Sequence, residues 1–234
     1  MTLANVNHMR LHTNALYVYD SDGCITASNQ FNGGPIPRFH LARTHAANYS
    51  VFRSDVPRAI VEAIGDLVLK EPILRDLDAL PIYRNEYIKL LSKQDPVVSI
   101  WHGPAYRFTN TPSAKDANVV PIDATNRGVL MQHMGDWLED VGHRYPFVAL
   151  LEDGHAVAVC ASARMTPEAH EAGVETVPSY RRRGYAARVV AAWANAVVLE
   201  KAEPLYSTSW DNHASQAVAN TLNLELVGTD FHVR

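Results

Sequence analysis

Hydrophobic positions along this chain recur with two periods, and the change from one to the other lays out its elements. Between residues 55 and 70, Ile60, Ile64, Leu67 and Val68 fall on one helical face. Ser54 or Asp55 can cap that helix, Pro57 suits its first turn, and Glu71-Pro72 stops it. A shorter helix is predicted over 82–91, with Tyr83, Tyr87, Leu90 and Leu91 turned inward. Over 125–141 the spacing of Val129, Leu130, Met134, Trp137, Leu138 and Val141 predicts a third, in which Met134 and Trp137 read as packing residues. The strongest helix runs over 186–202: Val190, Trp193, Ala194, Val197 and Val198 form a broad apolar face, alanine supplies propensity, and Glu203-Pro204 ends it. A last helix is predicted over 213–221 behind Asp211 or Asn212.

Strand-like runs lie between them. Residues 16–19 and 24–28 flank the turn Asp20-Ser21-Asp22-Gly23, and 147–151 and 155–160 flank Asp153-Gly154, the clearest hairpin signal in the chain. Further strands are predicted at 97–101, 119–122, 172–177 and 205–210, with a return strand at 106–108 beyond His102-Gly103-Pro104 and a final hairpin, 224–227 with 229–233, around Gly228. Residues 1–13 carry little pattern, 30–37 read as an irregular loop and 109–118 as a polar turn. Asp95-Pro96 is the best boundary, dividing an extension, 1–95, from a domain, 96–234. This order predicts an α+β fold, a mixed and mostly antiparallel sheet flanked by helices with an N-terminal α+β extension, and not a doubly wound sheet.

Composition removes several classes of function. With 234 residues the chain can bury a sizeable core, and 47% hydrophobic with 20% charged residues is ordinary for a globular protein. A formal net charge of -4, with no long basic patch outside one arginine triplet, argues against nucleic acid as a partner. No apolar run is long enough to cross a bilayer and the N-terminal residues lack a signal-peptide core, so the expected location is cytoplasmic, with no membrane partner. Cys24 and Cys160 read as free thiols. His8 and His12 share i,i+4 spacing, but two imidazoles do not make a metal site, and no metal is expected.

The chemistry concentrates in Val177-Pro178-Ser179-Tyr180-Arg181-Arg182-Arg183-Gly184-Tyr185-Ala186. A strand ends there, a turn follows, and three arginines stand at the start of a helix, where cations are unfavourable against the helix dipole. A bound anion would remove that conflict, and the free N–H groups of a helix N-terminus suit a phosphate or pyrophosphate. The plain alternative is a strand-to-helix connection with solvent-facing arginines. No Gly-Lys-Ser or Gly-Lys-Thr follows, and the glycines of a dinucleotide fingerprint are missing.

Arg181-x-x-Gly184-x-Ala186 resembles the coenzyme A pyrophosphate loop of the GNAT (GCN5-related) N-acetyltransferases, whose pattern is Gln/Arg-x-x-Gly-x-Gly/Ala. Asn212-x-x-Ser215 is similar to the Asn-x-x-Ala/Ser that opens a later helix in that family, and together the two motifs carry the resemblance over roughly residues 97–234. The resemblance implies acetyl-CoA as cofactor and acetyl transfer to an amine, and a homodimer is among the expected partners. Amino acid, polyamine, antibiotic amine and protein N-terminus stay open as acceptors, a small molecule being favoured only by the absence of a marked peptide-binding or strongly charged region. It implies that backbone atoms near Thr176 and Val177 hold the pantetheine arm, and that amides from Arg182 through Gly184 and Tyr185 to Ala186 hold the pyrophosphate. Arg181 and Arg183 would share in phosphate contact, Arg182 would act as a steering charge, and Asn212 and Ser215 would lie near the arm. Gly184 would keep side chains away from the phosphate.

Glu175 and Glu171 are the candidate bases on the key strand, with Glu175 first and His170 or no dedicated base as alternatives. The chain departs from the family at Ala219, where many members carry a tyrosine able to protonate the departing thiolate; Ser215, Tyr185 or water would have to take that part. A CoA-binding protein of the same fold with little transferase activity, acetylation of a protein amine, and an interaction module with a basic patch are the other readings.

Overall fold

Asp153 and Gly154 both take positive φ, 50° and 80°, the backbone that a two-residue hairpin turn requires. The turn joins β7 (Phe147–Glu152) to β8 (His155–Met165) in antiparallel register, Phe147 opposite Ala161 and Glu152 opposite His155. The computed structural model describes residues 2–73, 76–110 and 116–234. The chain forms two compact units that interleave along the sequence: residues 1–106, 207–213 and 226–234 in one, and 107–206 with 214–225 in the other.

In the second unit the strands lie in the order β10 (Glu203–Ser207), β9 (Ala169–Thr176), β8, β7, β6 (Val119–Pro121). β6 to β9 pair antiparallel, and β10 joins β9 in parallel. Helix α4 (Tyr185–Leu199) covers β7, β8 and β9 with Val189, Val190, Trp193, Ala194 and Val197, each fully buried. The opposite face carries a core of Leu130, Met134, Phe147, Ala149, Val159 and Ala161, with Val129, Trp137, Leu138 and Val141 packed against it. Every member of the stripe read from the sequence therefore packs as expected. The segment is not one helix, however, but two 3-10 turns, Arg127–Leu130 and Gly135–Asp140. Gly128 and Gly135 weaken the helix at both places, and tertiary packing decides the conformation. Helix α5 (His213–Thr221) follows β10.

In the first unit the order is β4 (Asn48–Phe52), β3 (Phe39–Arg43), β11 (Glu225–Val233), β5 (Ile100–Arg107), with the short hairpin of β1 (Tyr17–Tyr19) and β2 (Ile25–Ser28) apart from it. Helices α2 (Arg58–Val68) and α3 (Arg84–Leu91) pack Ile60, Ile64, Val68, Tyr87 and Leu91 on Phe39, Leu41, Phe231 and Val233. Two structural elements lie where the sequence showed little or nothing. Residues 2–13, part of the stretch that carries little pattern, belong to helix α1 (Thr2–Leu16), which also takes in Leu16 from the expected strand, with His8, His12 and Met9 buried. The β3–β4 hairpin had no alternation to reveal it, because all five residues of β3 are buried, His40 and Arg43 included.

The hairpins expected around Gly103 and Gly228 are instead continuous strands. A Cβ on Gly103 would lie 1.9 Å from the backbone oxygen of Thr208, and one on Gly228 would lie 2.6 Å from Met9 Sδ and 2.7 Å from Arg43 O. Both glycines admit a close neighbour rather than turn the chain. Of the expected 109–118 turn, residues 111–115 lie outside the described residues.

Candidate functional site

The pairing of β9 explains how a groove arises beside it. Val177 donates its N–H to Val157 O at 3.0 Å. Bonded and non-bonded pairs alternate in an antiparallel ladder, and the register sets Glu175 opposite Val159 and Gly173 opposite Ala161. Odd residues of β9 thus bond to β8, and Ala172, Val174 and Thr176 turn their N–H and C=O groups to the other edge. On that edge β10 is in register only from Glu203↔Ala169 to Leu205↔Glu171. Beyond Glu171 the two parallel strands part, leaving β9 with outward backbone groups that suit an extended amide-bearing chain. The Thr176 hydroxyl at the end of this edge is buried without a hydrogen-bond partner.

The strand leads directly into the basic loop. Pro178–Tyr180 make one 3-10 turn, Arg181 is extended, and Arg182 and Gly184 are left-handed, with φ of 63° and 76°. Such a φ costs a non-glycine residue about 1–2 kcal/mol, so Gly184 at the N-cap of α4 has a backbone reason to be glycine, and Arg182 carries the strain. A Cβ on Gly184 would meet nothing within 4 Å; the surface in front of the helix is open. The first bond of α4 runs from Arg188 N to Gly184 O at 3.2 Å, so Tyr185, Ala186 and Ala187 present the N–H groups that a helix leaves without an internal acceptor.

Arg181, Arg182 and Arg183 are all exposed. Arg181 Nε donates to Thr176 O at 3.2 Å, and Arg183 donates to Ser179 O at 3.4 Å while lying over the Tyr180 ring. Among the described residues, no carboxylate forms an ion pair with any of the three. In the first turn of α4, Arg188 donates to Asp116, with Nη2 2.9 Å from Oδ1, and Tyr185 donates its hydroxyl to Glu152. The Arg188 pair holds the Asp116 carboxyl below its usual range.

The candidate bases separate by burial. Glu171 and Glu175 lie on the same face of β9 by alternation. Glu171, 2% exposed, sits where the strands part and opposite Arg164 in register, whereas Glu175 is exposed. His170 faces α4: its Nδ1 meets Ser162 Oγ at 3.0 Å, and that oxygen takes the Trp193 indole N–H at 3.0 Å. Burial pushes the His170 pKa down, and its side chain lies on the other face from Glu175.

The remaining expected residues make local contacts. Val177 has its N–H taken by Val157, so of the stretch near Thr176 and Val177 it is Val174 and Thr176 that carry the outward amides. Ser215 Oγ is 2.6 Å from Tyr206 Oη. Asn212 belongs to the first unit, its N–H donating to Ser209 O at 3.1 Å. Ala219 is fully buried. Trp137 was legible only as packing, yet its indole N–H donates to Glu175 Oε2 at 2.6 Å; no pattern of apolar spacing could have shown this.

Residues 147–229 match the model of the GNAT acetyltransferase family. The chain carries a GNAT acetyltransferase domain. Among solved structures, a GNAT-family protein from Novosphingobium aromaticivorans shares 19% identity at a TM-score of 0.50, covering 58% of this chain and 65% of that one. A GCN5-related N-acetyltransferase-like protein from Streptococcus suis shares 15% at 0.49, covering 85% of each. This chain thus spans less than two thirds of the Novosphingobium protein's length. No curated protein matches the sequence. The GNAT fold binds acetyl-CoA or related CoA derivatives. The outward edge of β9, the orphaned Thr176 hydroxyl, the open front of Gly184 and the uncompensated arginines fit such a molecule in this GNAT domain.

Proposed function

We propose that the protein is an acetyl-CoA-dependent N-acyltransferase that moves an acetyl group directly to an amine of a small molecule. The observation that carries the reading is the parting of β9 from β10 immediately before an exposed, unpaired arginine loop at a helix N-terminus. Val174 and Thr176 on the outward edge of β9 hold the pantetheine amides. The amides of Tyr185, Ala186 and Ala187, joined by the backbone from Arg182 to Gly184, hold the pyrophosphate, with Arg181 and Arg183 supplying charge.

Acetyl-CoA supplies a thioester whose carbonyl carbon a neutral amine attacks as the C–S bond breaks and the thiolate departs. Glu175, the exposed carboxylate on β9, removes the amine proton directly or through one water, a role that contributes on the order of 10²–10⁴-fold. Glu171, buried at the fork, is the second candidate. The Thr176 N–H, on the outward edge of β9, polarises the carbonyl. The thiolate is a fairly good leaving group and takes its proton from water, since Ala219 offers none and the hydroxyls of Tyr185 and Ser215 are bonded to Glu152 and Tyr206.

Two measurements test this. Calorimetric titration with acetyl-CoA should show saturable binding, and thiol release should be stimulated by at least one member of a panel containing an amino acid, a polyamine, an antibiotic amine and a peptide with a free N-terminus. Absence of binding removes the whole reading. Binding without stimulated release favours the second reading, a CoA-binding protein of the same fold, for which buried Ala219 is the supporting observation.

A further inference from the structure

Glu175 is not left to choose its own orientation. Trp137, in the turn Gly135–Asp140, donates its indole N–H to Oε2 at 2.6 Å, and among the described residues this is the one hydrogen bond that the carboxylate makes. The ring is fixed from three sides. Phe147 meets it edge-on, with centroids 5.7 Å apart. The Arg144 guanidinium lies 5.6 Å from its centroid and is itself paired with Asp140 at 3.0 Å. Beneath it lies β9, at a residue with no side chain: a Cβ on Gly173 would come within 3.5 Å of the indole Cη2 and 3.1 Å of Ala163 Cβ.

An indole N–H can only donate and carries no charge. It therefore does not neutralise Glu175; it fixes one oxygen and leaves the other to accept a proton. Nor is the contact a means of holding the fold together, since Glu175 is exposed and water would replace the bond at little cost. A ring anchored by packing, with its single polar atom turned to a solvent-facing carboxylate, serves orientation.

We infer that Trp137 is a positioning residue for the transfer reaction, clamping Glu175 through Oε2 so that Oε1 receives the proton of the acceptor amine, and that at Gly173 any side chain longer than a Cβ would displace the indole. The inference rests on the transferase reading above. Fixing a flexible carboxylate before the reaction removes orientational freedom that would otherwise be lost in the transition state.

The indole N–H signals of ¹⁵N-labelled protein test the contact without turnover. Trp137→Phe should delete one of the four tryptophan signals, and Glu175→Leu should move that same signal upfield. With acetyl-CoA and the fastest amine of the panel, Trp137→Phe should lower kcat about tenfold with KM for acetyl-CoA unchanged, and should have no further effect in a Glu175→Leu background. Gly173→Val, which displaces the ring but keeps its N–H, should reproduce the loss and keeps the test open should Trp137→Phe not fold. A signal indifferent to Glu175→Leu, or a Trp137→Phe enzyme with the wild-type kcat, overturns the clamp while leaving the transferase standing. A wild-type protein that ignores acetyl-CoA overturns the transferase reading and this role with it.

Discussion

The two units use the same polar residue types in opposite ways. In the first, most inward charge meets a partner within the fold, though Arg43 Nε and Nη2 lack a hydrogen bond. Arg38 donates to the carbonyls of Leu91, Asp95 and Pro96 at the end of α3, Arg43 to Ala79 O, and Glu71 accepts from Ile82 N, Tyr83 N and the Tyr87 hydroxyl. Asp230 lies between His12, at 2.6 Å, and His40, at 3.0 Å, all three buried. In the second, three consecutive arginines reach solvent, and the hydrogen bonds of Arg181 and Arg183 go to backbone oxygens. A charge satisfied inside the fold specifies structure; a charge left unsatisfied beside a helix N-terminus is what the proposed pyrophosphate would complete. Arg38, Arg43 and Tyr87 thus belong to the framework.

The comparison breaks most readily at Asp230. Burial alone would raise its pKa, but the charges of His12 and His40 and the hydrogen bonds from both rings outweigh burial and hold the carboxyl far below its usual range. Asp230→Ala leaves two buried imidazoles without their acceptor and should cost about 3–5 kcal/mol in denaturant unfolding. Because the folded-state pKa is depressed, the contribution is present above the unfolded value, near 4, and is lost only as the pH falls well below it. A loss under 1 kcal/mol would show that the cluster is not structural.

Gly184→Val should give the next largest effect, at the other unit. Its φ of 76° should strain valine by about 1–2 kcal/mol, and a branched side chain would stand in the open front of α4. Affinity for acetyl-CoA should fall at least about thirtyfold, roughly 2 kcal/mol, in a calorimetric titration on protein whose folding is checked by circular dichroism. Unchanged affinity would remove the pyrophosphate from this loop.

His102 yields a smaller, pH-dependent effect. Burial, reinforced by the charge of Arg43 and opposed by Asp230 and Asp211, lowers its pKa from 6.5 to about 4. The unfolded chain then binds the extra proton between those values, so stability is full above about pH 6.5 and declines toward pH 4. For this partly exposed ring, after allowance for screening, the loss should be about 1–2 kcal/mol. His170 adds in the same direction. Unfolding curves of His102→Gln should show a flatter slope over that window; the same slope as wild type would assign the pH dependence elsewhere.

How much of this was legible follows the same division. The elements of the second unit announce themselves by local signals: the Asp153-Gly154 turn, the alanine-rich α4, and the Arg181-x-x-Gly184 loop. In the first unit the same kind of signal shows α2, α3 and the β1–β2 hairpin, while α1 and β3 hide behind long-range contacts. β3 shows no alternation because both its faces are buried, and α1 is recognisable only once Asp230, 218 residues away, meets His12. Gly103 and Gly228 were misread because the sequence of a glycine is the same whether it turns a chain or admits a neighbour. At the site itself, the strand and loop could be read, but the parting of β9 from β10 and the reach of Trp137 to Glu175 exist only in three dimensions.

The finest division lies within the arginine triplet. Arg182 is left-handed, with φ of 63°, a conformation that costs an arginine energy and persists where the surroundings or a function demand it. Arg182→Gly removes the strain but increases the freedom of the unfolded chain, and the two should cancel to within about 0.5 kcal/mol. If Arg182 acts as a steering charge, the substitution should slow acetyl-CoA association about two- to threefold at low ionic strength, measured by stopped-flow fluorescence. The difference should vanish near 0.5 M salt, where screening shortens the reach of exposed charges to about 4–5 Å. Arg181→Ala and Arg183→Ala should instead weaken binding by faster dissociation at all salt concentrations, as lost direct contacts do. A salt-independent loss in Arg182→Gly would place its guanidinium on the phosphate, and the strained backbone at that residue would then be the device that aims it.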